Sequence, residues 1–567
     1  MGYTKGDLRP SSNGVFQSLA YACCTAAEVS MVGVYGWSLK YWRGDVFGGV
    51  TAAIVALPLA LAFGVASGAG PLAGLYGAIA VGFFAALFGG TPAQISGPTG
   101  PMTVVMAAVL TQFVGQHPQV GLSLAMTVVM LAGVLQMLFG LLRLGRYLTL
   151  VSLPVVSGFM SGIGIIIIIL QLPGILGVAA LSSPAAVWQA LPSLLEQGQL
   201  ASVGLAAATL ALLYGWPKAW RLRLPAPLVA LLLGSVLVAW WALPVATLPE
   251  VPSGLPHLQV PYWSWPLWGD MLQAALMLAV LGSLDSLLTS LVADQRSRHL
   301  HHSDRELLGQ GVGNLVAGLL GGLPGAGATM RTVVNIDAGG RTPLSGMVHA
   351  LVLLMLVLWF GQWVAYIPQP VLAAILLKVG VDIIDWPLLK RARQLPRMAL
   401  AVMVSVAVLT VTTDLLIAVA VGVFITQALE MQAYARLQAA SIRFSQGGEP
   451  HCPTWLDQSS WHALQGAQGR MVLLTLQGPL GFAAAKAVLG LLERLPTCER
   501  LVIDYSAVTF LDISTALAME DVQLALQQQG VEVVWAGLGE EVQGLLMTLN
   551  RQGIRSYPDR QLALAEY

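Results

Sequence analysis

Charge is what this sequence has least of. Only 10% of its 567 residues are Asp, Glu, Lys or Arg, against 56% hydrophobic, whereas a soluble globular protein carries about 25% charged residues. That deficit excludes an ordinary soluble globule, and the mean hydropathy of +0.73 points to a polytopic membrane protein. The 28 basic and 28 acidic residues cancel. No long block of either sign occurs, so nothing marks a nucleic-acid partner. Cysteine is scarce too: Cys23 and Cys24 adjoin, and Cys452 and Cys498 stand far away in a more polar region. This spacing fits neither a disulfide framework nor a zinc site and reads as reduced cytoplasmic thiols. Walker sequences and nucleophile–base pairings are missing, which argues against an enzyme or an ATP-driven pump. Gly309-Gln-Gly-Val-Gly313 and Gly68-Ala-Gly-Pro-Leu-Ala-Gly74 resemble nucleotide loops only superficially. Neither follows a soluble strand, so helix packing through small residues is expected.

Fourteen apolar stretches long enough to enter a bilayer of roughly 30 Å follow one another from Gly44 to about Leu429. Basic residues gather on one side of them. Lys40 and Arg43 precede the first; Arg143 and Arg146 follow the fourth, Lys218 to Arg223 the sixth, Arg296 to Arg305 the eighth, Arg341 the tenth, and Lys390 to Arg397 the twelfth. The intervening connections carry no Lys or Arg, so both termini are predicted to be cytoplasmic. Residues 1–40 form a cytoplasmic lead-in, not a signal peptide. Residues 41–431 form the transmembrane domain. From 432 to 567 the composition turns soluble, and strands at Met471–Leu476, Arg500–Tyr505 and Gly530–Trp535 alternate with helical stretches as a small α/β domain.

A glycine-rich break organises the membrane part. Gly322-Leu-Pro-Gly-Ala-Gly-Ala-Thr-Met-Arg-Thr-Val-Val334 echoes Ser96-Gly-Pro-Thr-Gly-Pro-Met-Thr-Val-Val105. Both read as half-helices that start inside the membrane, the pattern of a transporter binding site. Helix N-termini present unpaired amides and a partial positive charge, so two of them facing each other suit an anion. Fourteen segments divide into two halves of seven, and an odd number inverts the second half. Gly44-Asp45 and Gly269-Asp270 begin the halves alike, as expected of an inverted repeat.

Ionisable groups persist inside a membrane chiefly for function. Asp285 lies mid-segment, and Thr289 is on the same helical face. With carbonyls freed where Gly325 to Thr329 is unwound, they would make an all-oxygen nest for sodium; a structural Asp is the alternative. Arg331 either raises the potential around a bound anion or reaches the cytoplasmic surface or Asp337. Lys378 and Asp382 read as an interfacial pair. His349 is expected to be a hydrogen-bonded structural residue, and His299, His301 and His302 a solvated group.

These residues resemble the SulP (sulfate permease) family of anion transporters. The likeness lies in Gly44-Asp-Val-Phe-Gly-Gly-Val-Thr-Ala-Ala53, Ala56-Leu-Pro-Leu-Ala-Leu-Ala-Phe-Gly64 and Gln94-Ile-Ser-Gly-Pro-Thr-Gly-Pro101. Leu501-Val-Ile-Asp504 and Phe510-Leu-Asp-Ile-Ser514 resemble its cytoplasmic STAS domain. Within the family, Phe83-Phe-Ala-Ala-Leu-Phe-Gly-Gly-Thr-Pro92 and Pro324 to Val334 are similar to the cyanobacterial BicA-type branch of sodium-dependent bicarbonate transporters.

The resemblance implies a seven-plus-seven inverted fold with a core domain moving against a gate domain, a homodimer to which the STAS domains contribute, and the plasma (inner) membrane. It implies that Asp285, Thr289, Gly327, Ala328 and Thr329 hold sodium. Thr99, with amides near Gly100, Ala328 and Thr329, would hold the anion. Ser514 stands where relatives of the STAS fold are phosphorylated, although Thr515 replaces the usual Gly; a helix N-cap is the alternative. The expected activity is sodium-coupled bicarbonate import. Its rivals are transport of sulfate or another oxyanion, an anion channel, or a STAS-centred scaffold.

Overall fold

The computed structural model describes residues 34–148, 152–181, 183–217, 225–248, 258–413, 415–446, 451–490, 495–549 and 555–566. Cys23, Cys24 and most of the lead-in fall outside them. The chain divides into two units, Met1–Val423 and Phe424–Tyr567.

Each of the fourteen apolar segments is a helix. In the first half these are α1 (Trp42–Ala66), α2 (Pro71–Phe88), α3 (Gly100–Gln116), α4 (Gly121–Leu141), α5 (Leu153–Leu176), α6 (Leu200–Gly215) and α7 (Ala226–Trp241). In the second they are α8 (Trp268–Ser297), α9 (Ser303–Leu319), α10 (Thr329–Asp337), α11 (Pro343–Phe360), α12 (Gln369–Ile383), α13 (Arg397–Thr412) and α14 (Leu415–Ala440). Proline opens many of them, in the first turn of α2, α3, α5, α7 and α12. There it costs no hydrogen bond, because the amide it lacks would be unpaired anyway. Among the described residues, six helices are both long and apolar enough to cross a bilayer alone. The third and tenth are short because each starts only after a strand that interrupts the membrane path.

Those strands are β1 (Ser96–Gly97) and β2 (Ala326–Gly327), which pair antiparallel with Ser96 opposite Gly327 and Gly97 opposite Ala326. Around them the packing partners recur when the halves are exchanged. Helix α9 packs on α4 as α2 does on α11, α11 on α1 as α4 on α8, and α13 on α5 as α6 on α12. Small residues permit the closest approaches. A Cβ on Gly309 would lie 2.4 Å from the Gly89 amide nitrogen, and one on Gly74 would lie 1.9 Å from the Ala60 carbonyl. The two loop-like glycine stretches are thus helix contacts.

Two differences from the sequence reading concern boundaries. A helix over Pro184–Gln197 precedes α6, with a bend of 110° between the two, in a stretch expected to be a connection. The unit boundary falls within α14 instead of after it. Glu430, Gln432 and Arg436 mark entry into water, but they are good helix formers and do not end a helix.

The second unit is a five-stranded sheet in the order β3–β4–β5–β6–β7, with strands Ile442–Gln446, Met471–Leu480, Arg500–Leu511, Glu532–Ala536 and Ser556–Tyr557. Strand β3 runs antiparallel to β4 and the remainder are parallel. Alternation decides its two faces. Val472, Leu474, Leu501, Ile503 and Trp535 pack against α16 (Phe482–Leu489), α17 (Ile513–Gln528) and α18 (Glu540–Leu549). Leu473, Val502 and Val534 pack against α15 (Gln458–Gly466) and α19 (Arg560–Ala565). Both outer strands were missed, being short or carrying Arg443 and Ser445 among apolar residues.

Asp457 ties this second face together. It caps α15 by accepting from the Ser460 amide at 2.9 Å, and it pairs with Arg560, which also reaches Asp504 at 3.3 Å. Partial burial works against its ionisation, but the bonds from Ser459 and Ser460 and the Arg560 charge hold its carboxyl well below the usual carboxylate range. Its contribution is therefore full at neutral pH and is lost only as pH falls through that lowered value. Asp457→Ala should cost about 1 kcal/mol at pH 7. A thermal melt of this domain in the detergent-solubilised protein, repeated in strong acid where the difference should vanish, checks it.

Candidate functional site

The β1–β2 pair places the heads of α3 and α10 at one crossing. Proline and glycine keep the preceding chain extended, and helix begins only at Gly100 and Thr329. The first main-chain bonds follow: the Thr103 amide donates to Thr99 at 2.9 Å and that of Thr332 to Ala328 at 2.8 Å. Amides nearer each N-terminus have no partner within their helix. Neither Thr99 nor Ala328 caps its helix with a side chain.

Helix α8 passes this crossing with its polar face. Thr289 Oγ1 donates to the Gly327 carbonyl at 3.0 Å and lies 2.8 Å from Thr329 Oγ1. Since Thr289 has one proton to give, Thr329 donates in that second bond. Ser286 Oγ accepts from the Gly327 amide at 3.0 Å. One turn back, Asp285 is 7% exposed and faces the Thr99 hydroxyl and the Arg331 guanidinium. Thr99 Oγ1 and Asp285 Oδ2 are both buried and lack a hydrogen-bond partner among the described residues. The structure thus brings Thr99, Asp285, Thr289, Gly327 and Thr329 together, with Ala328 at the cap of α10 and Gly100 at the first turn of α3. Every available donor atom is oxygen, the set that suits a hard monovalent cation. No group of three or more His, Cys, Asp or Glu fit for a metal occurs among the described residues.

Arg331 reaches neither the cytoplasmic surface nor Asp337. It is 2% exposed and donates Nη2 to the Pro98 carbonyl, while its Nη1 has no partner among the described residues. Asp337 pairs with Arg296 instead, at 3.2 Å. Lys378 and Asp382 form a partly exposed pair on successive turns. His301 is tied to Asp294 at 2.7 Å and to Ser303 at 2.9 Å, so it is not merely solvated. His349 departs from expectation: it is fully buried, yet neither ring nitrogen has a hydrogen-bond partner among the described residues. It packs instead against Gly82, where a Cβ would meet Nδ1 at 3.1 Å.

Ser514 is not the cap of its helix. Asp512 caps α17 by accepting from the Ser514 amide at 2.9 Å, which leaves Ser514 in the first turn.

A buried network that the sequence reading missed supports the crossing. Glu306 accepts from the Gly90 amide at 3.0 Å and from Gln94 and Gln310 at 2.8 Å each. Gln94 accepts from Ser290, and Gln310 donates to Ser96 of β1. Asn314 holds Gly325 by both its amide, at 2.7 Å, and its carbonyl, at 2.9 Å. A signal for these residues existed. Glu306, Gln310 and Asn314 recur every four residues, one polar face on an otherwise apolar helix.

Comparison with known proteins gives the family. A model of the sulfate permease family matches residues 42–406, and a STAS domain model matches 464–557. Bicarbonate transporter BicA of Picosynechococcus is 47% identical over 84% of this chain and 86% of its own. Its namesake from Synechocystis is 46% identical over 87% and 88%. The solved transmembrane domain of a cyanobacterium bicarbonate transporter BicA is 48% identical, with a TM-score of 0.64, and covers 68% of this chain and 99% of that one. Murine Slc26a9, an anion transporter solved in the inward-facing state, shares the fold at 18% identity, with a TM-score of 0.78 and complete coverage of both chains. This multi-pass membrane protein therefore belongs to the sulfate permease family and ends in a STAS domain.

Proposed function

We propose that the chain imports bicarbonate with sodium across the plasma membrane by alternating access. The observation that carries the reading is the partnerless Asp285 oxygen beside the Thr99, Thr289 and Thr329 hydroxyls at the β1–β2 crossing. Bicarbonate as the anion is favoured by the two BicA relatives. Sodium lies among Asp285, Thr289, Thr329 and the carbonyls of Gly327 and Ala328. Bicarbonate lies beside it, on Thr99 and the amides at the heads of α3 and α10.

Charge balance gives the coupling. Without substrates, Asp285 and Arg331 carry one negative and one positive charge. Sodium alone or bicarbonate alone leaves a net charge in buried surroundings, at a cost of several kcal/mol, whereas the two together leave none. Each substrate then favours the other by the same factor. Helices α1–α4 and α8–α11 form the moving core, inverted repeats of each other, and α5–α7 with α12–α14 form the gate. The chain works as a homodimer with both termini and the STAS domain in the cytoplasm.

The test is uptake of radiolabelled bicarbonate, and in parallel sulfate, into proteoliposomes with a sodium gradient or an impermeant cation in its place. Sodium-driven accumulation of bicarbonate, with sulfate neither carried nor competing, is expected. Sulfate uptake indifferent to sodium would keep the fold and remove the sodium site. Failure to concentrate any anion would favour a channel or a scaffold.

A further inference from the structure

We infer that Ile167 of α5 and Ile383 of α12 form a paired apolar filter beside the anion position, favouring a monoanion over a dianion. The inference rests on the bicarbonate reading above and adds the residues that would discriminate. Its starting point is Gly100, the first residue of α3. A Cβ there would lie 2.8 Å from Ile167 Cδ1 and 2.8 Å from Ile383 Cδ1. Two terminal methyls therefore close over the amide end of the half-helix, beside a small cavity lined by Phe63, Gly100, Thr103, Ile167 and Gln171.

The pair is built by a helix crossing, not by chance contact. A Cβ on Gly164 would lie 2.6 Å from the Gly380 carbonyl, and one on Gly380 would lie 2.9 Å from that of Gly164. Helices α5 and α12 therefore touch backbone to backbone at these glycines. Each isoleucine stands three residues after its glycine, on the same face. The two helices also align without a gap: Pro154, Val155, Gly164 and Ile167 fall on Pro370, Val371, Gly380 and Ile383. Both halves of the chain thus deliver the same side chain, from the same crossing, to one point.

The chemistry of that point is one-sided. An anion there meets amide donors on the helix side and methyl groups on the other, and methyls cannot replace its lost water. The cost of leaving charge unsolvated rises steeply with its magnitude, so a dianion loses far more than a monoanion. Gly100 lets both methyls close on the helix end, since a Cβ there would overlap the two of them.

Ile→Val removes only the touching Cδ1 and is a change that cores tolerate. The test compares the wild type with Ile167→Val/Ile383→Val and with Ile167→Ala/Ile383→Ala, each reconstituted and its fold checked by size-exclusion in detergent. Sodium-driven uptake of bicarbonate and sulfate is measured for each. The sulfate-to-bicarbonate ratio is expected to rise about tenfold in the valine pair and further in the alanine pair. An unchanged ratio in both pairs overturns the filter. So does loss of both transports in a folded valine pair, because a filter that only excludes can be loosened without stopping the carried anion. Equal carriage of both anions by the wild type would sink the bicarbonate reading itself, and would leave the pair no discrimination to perform.

Discussion

Asp285→Asn is expected to lower sodium-driven bicarbonate accumulation about 100-fold or more, the rate equivalent of the roughly 3–5 kcal/mol lost when one partner of a buried charge pair is removed. The amide preserves the size of the side chain and its place on α8, so the fold should persist. It cannot supply the charge that a cation needs when buried. Arg331 would then face an incoming anion without a fixed counter-charge, and bicarbonate could neutralise it without sodium. Residual exchange of anion down its own gradient, indifferent to sodium, is therefore the expected remnant. The measurement is uptake against sodium concentration for the wild type, Asp285→Asn and Asp285→Glu. Glutamate keeps the charge but sets it one methylene farther out, and should retain sodium dependence with weaker apparent affinity. Unchanged sodium dependence in the asparagine variant would remove Asp285 from the coupling site.

Gly325→Ala should be as damaging for a different reason. A Cβ at Gly325 would lie 2.5 Å from the Gly97 carbonyl carbon and 2.7 Å from its oxygen. Both obstacles are backbone, held in the β1–β2 pair, so no side chain can swing aside. Gly97 is fixed as well, since its φ of 152° belongs to a region other residues avoid. The Gly325 amide and carbonyl are both bound by Asn314. Relief of the overlap therefore requires either parting the strands or breaking those bonds. We expect a loss at or beyond the upper end of the roughly 1–3 kcal/mol typical of overpacking, seen as a lowered melting temperature in detergent and uptake reduced at least about tenfold. Gly204→Ala is the control. Nothing lies within 4 Å of a Cβ there, so helix α6 should gain up to about 1 kcal/mol. Equal behaviour of the two variants would mean that the crossing is not rigid.

What could be read in advance divides along physical lines. Apolar runs of bilayer length announce a helix whatever its neighbours are, so all fourteen helices could be counted from composition, and the two glycine-rich breaks stood out as interruptions. Strands of the second unit announced themselves by runs such as Met471–Leu476. Polar residues near helix ends were harder. Glu306 follows Arg305 at the very start of its helix, where a charge can reach water, yet it is 1% exposed and carries three hydrogen bonds. Its donors, Gly90, Gln94 and Gln310, lie mainly on another segment more than two hundred residues away. Burial of that kind is a property of the partners, not of the residue.

By itself, then, the sequence determined the membrane class, the fourteen apolar helices, the α/β character of the second unit, and the residue types gathered at the crossing. Those follow from local periods and from the cost of charge in an apolar medium, both of which each segment carries within itself. Tertiary structure decided that Arg331 bonds Pro98 rather than Asp337, that Ser286 and Asn314 hold the second break while Gln310 holds the first, that His349 is left without a partner among the described residues, and that Ile167 and Ile383 meet over Gly100. Each of these depends on which face of one helix meets which face of another, and contacts between residues hundreds of positions apart leave no periodic trace in either one alone.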